Sequence, residues 1–287
     1  MSFFNYTMND VTNAVSGAIG GFDSTVNKVS NLMSFNLKGT GSSTDAWSSF
    51  WNATDEVSTA IAGVSICLAV IYTYLAITKE GISLKGDFKK ILTILLRLVI
   101  TKGLIDSATD FMFWIYSLGA KVTTIVASKM TGAGNSSLKD MFKGDQFANG
   151  LGITANSSGF DCFVAVQYSR IFGFFLWGLG IALAIIAVSR IFKVYIQIMF
   201  SSLAFAKLPL EGYNGIKENL SSFFGLSLQG AVIVGAIGLY KIGVAHSDVI
   251  SQVYTDSMFG SFGLIIILSI SLVILIFQSE SIAKKFA

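Results

Sequence analysis

The chain has 287 residues, of which 53% are apolar and only 13% charged, with a mean hydropathy of +0.66 and a formal net charge of +3. A soluble domain carries about 25% charged residues, because its surface has to meet water. Half that fraction over a chain this long excludes a soluble enzyme, and the small net charge excludes a global nucleic-acid-binding surface. The fold class expected is all-α: a polytopic membrane helix bundle of about five transmembrane helices plus a short interfacial or re-entrant helix.

Residues 1–56 are expected to lie outside the membrane and to contain an amphipathic helix. Val11, Val15, Ala18, Phe22, Val26, Val29 and Met33 recur at steps of three and four, which draws one apolar stripe along a helix. The other faces are Ser, Thr, Asn and Gly, and each of Gly17, Gly20 and Gly21 lowers helix propensity by about 1 kcal/mol. Such a helix needs a partner surface, with Val15, Phe22, Val26 and Val29 as its contact residues.

Residues 57–118 hold the first two spans, since a run of about 20 apolar residues crosses a hydrocarbon core of about 30 Å. The first, Val57 to Ile77, is free of charge, whereas the second, Ile91 to Leu118, carries several charges. Residues 119–170 read as an outer central loop, irregular between 131 and 160 where Gly, Ser and Asn are frequent. Residues 171–277 form a C-terminal bundle with spans at Ile171–Val188, Leu220–Ala245 and Phe259–Phe277. Within it, Ile191 to Ala206 is too short to cross and suits an interfacial or re-entrant helix. Residues 278–287 form a cytoplasmic tail.

Loop charges orient the spans, because positive loops stay cytoplasmic. Residues 1–56 hold two Lys against five acids, and 246–257 hold two Asp and no Lys or Arg. The connection 78–90 holds four Lys, among them Lys85, Lys89 and Lys90, against two acids. Arg190 with Lys193, and Lys284 with Lys285, add two further basic pairs. Five spans with the N-terminus outside and the C-terminus inside satisfy every short loop; six do not. The first thirty residues show no basic start followed by an apolar core, so the spans themselves are expected to target the chain.

The second span supplies the anomaly. Arg97, Lys102, Asp106 and Asp110 all fall inside it, and a charge at the bilayer centre costs about 2.5–3.5 kcal/mol. Lys102, Asp106 and Asp110 follow at i, i+4 on one face, where the first pair neutralises itself. This face reads either as the lining of a subunit contact or watery path, or as a long helix whose charges snorkel to the headgroups. Small residues at Gly173, Gly178, Gly180, Gly230, Gly235 and Gly238 predict close helix packing, within or between chains.

No catalytic, metal-binding or cofactor-binding constellation accompanies these features. His246 is the lone histidine, Cys67 and Cys162 have no metal spacing, and no nucleophile elbow, zinc motif or phosphate-cradling Gly-Lys run occurs. No enzymatic activity and no cofactor are therefore expected.

The layout over residues 50–280 resembles the TrbL-like family, the polytopic inner-membrane channel components of type IV secretion systems. The resemblance rests on the outer N-terminal segment, five spans, a central outer loop after the second, and the run from Ser189 to Leu208-Pro209-Leu210. Phe223, Phe224, Gly225, Gln229 and Gly230 continue it at the start of the next helix. It implies a bacterial inner-membrane protein, homo-oligomeric in lipid, that serves as a platform or channel for DNA or protein transfer. Its partners would be other secretion subunits, including separate ATPases and periplasmic components, with transient contact to the translocated DNA or protein. A different class, a secondary transporter or solute channel, would also place charges inside a span. It would show an internal repeat, and none is evident.

Overall fold

The computed structural model describes residues 6–39, 45–83, 88–133, 157–245 and 260–287, and among these the only regular structure is helix. The long helices are α1 (Met8–Met33), α2 (Ala46–Ser83), α3 (Phe88–Asp106), α4 (Ala108–Ala133) and α5 (Gly159–Met199). Two short helices, α6 (Ser201–Phe205) and α7 (Leu208–Glu211), precede α8 (Tyr213–Ala245) and α9 (Gly260–Lys284). Five segments are long and apolar enough to cross a membrane: Ala46–Lys79, Ala108–Met130, Gly159–Met199, Tyr213–Val244 and Ile265–Lys284. The chain is an all-α, multi-pass membrane protein.

Side-chain caps fix three helix starts. Asp10 accepts from both the Thr7 amide and the Thr7 hydroxyl at 2.8 Å, closing the first turn of α1. The Trp47 amide donates to Asp45 at 3.1 Å ahead of α2. Before α5, the Asp161 amide donates to the Ser158 hydroxyl at 3.2 Å, and that hydroxyl donates back to the Asp161 carboxylate at 2.7 Å.

Three boundaries differ from those expected. The single helix anticipated over 91–118 is interrupted at Ser107, and the segment apolar enough to cross begins at Ala108. The Ser107 hydroxyl donates to the Gly103 carbonyl at 2.8 Å and shares that acceptor with the Ser107 amide at 3.2 Å, at a point where Gly already weakens the helix. The short segment at 191–206 is not separate either. Residues 191–199 continue α5, because no helix breaker lies between Val188 and Met199, and the short elements are α6 and α7. Pro209 sits in the first turn of α7, where its missing N–H is harmless. Finally, both ends of the expected central loop are helical, as the last turns of α4 and the first turns of α5. Its middle, 134–156, lies outside the described residues, as do 246–257 with His246, and Lys85.

The chain divides into two compact units, with α4, α5, α8 and α9 each contributing to both. In the first (Met1–Met33, Thr123–Val188, Ala231–Ser279), α1 supplies the central stripe. Val15, Ile19, Phe22, Val26, Val29 and Met33 are buried against Phe172, Leu176, Leu183 and Ala187 of α5, Ile233–Tyr240 of α8, and Ile265–Ile276 of α9. Two glycines of α5 set how closely α1 approaches. A Cβ at Gly173 would meet the Ala18 Cβ at 2.9 Å, and one at Gly180 would meet Thr25 at 3.5 Å. The sequence separation is the same in both pairs, so α1 and α5 run parallel. At their shared N-terminal end, Val11 packs with Cys162, Ala165 and Val166, and Tyr6 meets Phe163 at 5.3 Å.

In the second unit (Ser34–Val122, Ser189–Gly230, Glu280–Ala287), α2 packs along α3, α6 and α7. Small polar side chains join the helices: Ser65 donates to Ser202 at 3.0 Å, and Thr109 to Ser58 at 2.9 Å. The 34–39 turn is tied down by two tyrosines. Tyr195 donates to the Leu37 carbonyl at 2.9 Å, and Tyr116 to the Phe35 carbonyl at 3.4 Å.

Candidate functional site

The charges expected inside the second span separate into three environments. Lys102 and Asp106 do form the i, i+4 pair, at 3.3 Å near the end of α3. Their side chains are 66% and 52% exposed, so within this chain they line an outward face and not a packed interior. Asp110 lies beyond the interruption and pairs elsewhere, with Lys38 of the 34–39 turn at 3.5 Å. That lysine also stacks over the rings of Phe113 and Trp51, at 4.4 and 4.9 Å. Lys38 was not singled out from sequence, because Asp110 and Phe113 lie more than 70 residues further on, a distance no local pattern spans. Arg97 is half-buried, and its guanidinium reaches the turn after α7, where a Cβ at Gly212 would lie 3.4 Å from it. Gly212 has φ +61°, in the left-handed region that glycine adopts without strain.

Among the basic residues expected at the inner face, Lys89 and Lys90 are exposed at the start of α3. Lys193 is partnered, with Glu280 at 2.6 Å, and Glu280 also takes Lys284 at 3.0 Å. Arg190, expected as an inner-face basic residue, is 2% exposed. Position 190 falls on the helix face that carries Leu183, Ala187 and Val194, all buried, so its guanidinium is drawn inside. There it donates to the Ser227 carbonyl at 3.3 Å and lies beside the Tyr116 hydroxyl.

All but one of the glycines expected to pack closely do so inside the chain. A Cβ at Gly238 would meet Met130 at 2.6 Å, and one at Gly235 would meet Val126 at 3.9 Å, so both face α4. Gly230 is buried, and Gly178 faces open space. Val15, Phe22, Val26 and Val29, expected to need a partner surface, find it in α5, α8 and α9 of the same chain. Phe22 meets Tyr240 edge-on at 6.3 Å. Cys162, expected in a polar loop, is buried in the first turn of α5 because α1 covers it.

The first unit carries two unlike faces at one level. The exposed residues of α1 beyond its first turn are Asn13, Gly17, Gly21, Ser24, Asn27, Lys28 and Asn31, every one polar or glycine. Level with them on α5, the exposed residues include Ile171, Phe174, Trp177 and Ile185, with Phe174 73% exposed. Asp23 is buried on α1, close enough to Tyr240 to interact with it electrostatically. Among the described residues no group of three metal-ligating side chains occurs. Comparison of the chain with protein-family models, with curated proteins and with solved structures gave no match.

Proposed function

We propose that this protein is an inner-membrane component of a type IV secretion or conjugation machine, and that several copies form a platform or channel through which DNA or protein passes. The observation that carries this reading is the pairing of faces on the first unit. A polar surface level with exposed Phe and Trp cannot face hydrocarbon cheaply, since unsatisfied polar groups there cost several kcal/mol each. A ring of copies resolves the conflict. The α1 faces then border a shared aqueous path, and the α5 faces meet lipid or neighbouring copies.

The layout over residues 50–280 gives this conduit its direction, through its resemblance to the TrbL-like family. Loop charges place the N-terminus outside and the tail inside. Energy comes from separate ATPases, and periplasmic subunits meet the outer segments. A reporter active outside at Lys285 would overturn the orientation.

Accessibility tests the conduit itself. In a background with Cys67 and Cys162 replaced by Ser, Ser24→Cys and Asn27→Cys should react with a charged, membrane-impermeant thiol reagent. Phe174→Cys should not. Modification at residue 24 or 27 should block transfer of substrate to recipient cells. An inert Ser24→Cys, or transfer that continues after its full modification, would sink the proposal.

A transporter reading has one observation in its favour, the buried carboxylate of Asp23 among spanning helices. It predicts that Asp23→Asn is assembled normally yet abolishes flux of a small solute into vesicles, with macromolecular transfer unaffected.

A further inference from the structure

In the second unit, three cations from two helices converge on one cavity. Lys79, Lys90 and Arg97 line a space of about 280 Å³ together with Ala76, Thr93, Ile94, Pro209 and Leu210. Among the described residues no acidic side chain lines it. Lys79 is the last residue of the first candidate span, which sets the cavity mouth at the headgroup layer. Arg97 lies two turns along α3 from Lys90, about 10 Å deeper at 1.5 Å per residue. Elsewhere on that helix Leu92, Leu95, Leu96 and Val99 are exposed, as are Lys89, Lys102 and Asp106.

We propose that this cavity binds the phosphate group of an anionic phospholipid. Clustered cations in a recess at the membrane surface attract a phosphodiester, and an Arg fork suits its paired oxygens. The space is about nine times the 30 Å³ share of a water, enough for a tetrahedral oxyanion with some of its hydration. The apolar lining residues Ala76, Ile94 and Leu210 favour a lipid over free phosphate, because they offer its glycerol and acyl carbons an apolar wall beside the cations. Gly212 belongs to the arrangement: its missing side chain leaves the Arg97 head room beside the turn after α7. A bound lipid would then join α2, α3 and that turn.

The test uses the full-length protein purified in mild detergent, with phosphatidylglycerol, phosphatidylcholine and inorganic phosphate as probes. Native mass spectrometry counts retained lipid, and thermal unfolding reads protection. The expected result is tight retention of phosphatidylglycerol and protection by it, with neither phosphatidylcholine nor phosphate matching it. Each of Lys79→Gln, Lys90→Gln and Arg97→Gln should weaken retention about fivefold, and the triple variant on the order of a hundredfold, at about 1 kcal/mol per cation near the surface. The single variants serve if the triple does not fold. Lys89→Gln/Lys102→Gln, exposed on the same helix outside the cavity, should retain the lipid as the parent does. Equal loss in that control would show diffuse attraction and overturn the site. Equal retention of phosphatidylcholine, or equal protection by inorganic phosphate, would overturn the assignment to an anionic lipid.

Discussion

Arg190, sealed from solvent on α5, donates to the main-chain carbonyl of Ser227 on α8 at 3.3 Å. The contact depends on a glycine of a third helix. A Cβ at Gly119 would lie 2.6 Å from that same Ser227 carbonyl oxygen. Three helices therefore meet at one backbone atom, and the charge, the carbonyl and the missing side chain are parts of a single joint.

Arg190→Ala should destabilise the purified protein by about 2–3 kcal/mol, the worth of a buried hydrogen bond to a charged group. Thermal unfolding in detergent reads the loss. Arg190→Lys should recover little of it, since a single ammonium does not reproduce a planar fork with several donors. Full stability in Arg190→Ala would show that the joint is held elsewhere.

The glycines should respond with opposite signs. Gly119→Ala meets main chain, which cannot swing aside, so α4 and α8 must separate and stability falls. Gly178→Ala meets nothing within 4 Å and should gain up to about 1 kcal/mol of helix propensity. Comparing the unfolding temperatures of the two variants checks both signs.

The exposed Lys102–Asp106 pair predicts small effects. Lys102→Leu and Asp106→Leu should each change stability by less than about 1 kcal/mol, and the double variant should equal their sum within about 0.5 kcal/mol. Stronger coupling in assembled protein than in isolated chains would show that another subunit covers this face.

Phe22→Asp should undo the first unit while leaving the chain inserted. Losing a buried Phe costs about 3–5 kcal/mol, and the new carboxylate adds a desolvation penalty. The α5, α8 and α9 segments keep their hydropathy, so membrane extraction should be unchanged while α1 becomes accessible to protease. Resistance of α1 equal to the parent would contradict the packing.

The cap of α1 gives a pH dependence. Hydrogen bonds from the Thr7 amide and hydroxyl hold the Asp10 carboxyl below the usual carboxylate range. A carboxyl depressed in the folded state stabilises it above the unfolded value of about 3.9, and that contribution is lost as pH falls through the folded value. Protection from hydrogen exchange at the first turn of α1, taken relative to the intrinsic rate at each pH, should therefore fall on acidification in the parent. It should already be low, and less dependent on pH, in Asp10→Asn.

What the sequence by itself determined were properties carried by neighbouring residues. Hydropathy runs marked the number of crossing segments, though the second lies further along the chain than its run. The three-and-four spacing from Val11 to Met33 marked the buried face of α1. The i, i+4 register of Lys102 and Asp106 marked their pairing. Tertiary structure decided which surface each face meets. Ala18 reaches Gly173 and Lys38 reaches Asp110 across stretches of chain that no local period covers, so the partner of α1 and the fate of Asp110 were not legible. The side on which Arg190 lies was open for a related reason: a guanidinium at the end of an apolar run suits a headgroup as well as an interior. The carbonyl of Ser227, left accessible by the absence of a side chain at Gly119, settles that choice, because a buried donor stays where an acceptor is already fixed.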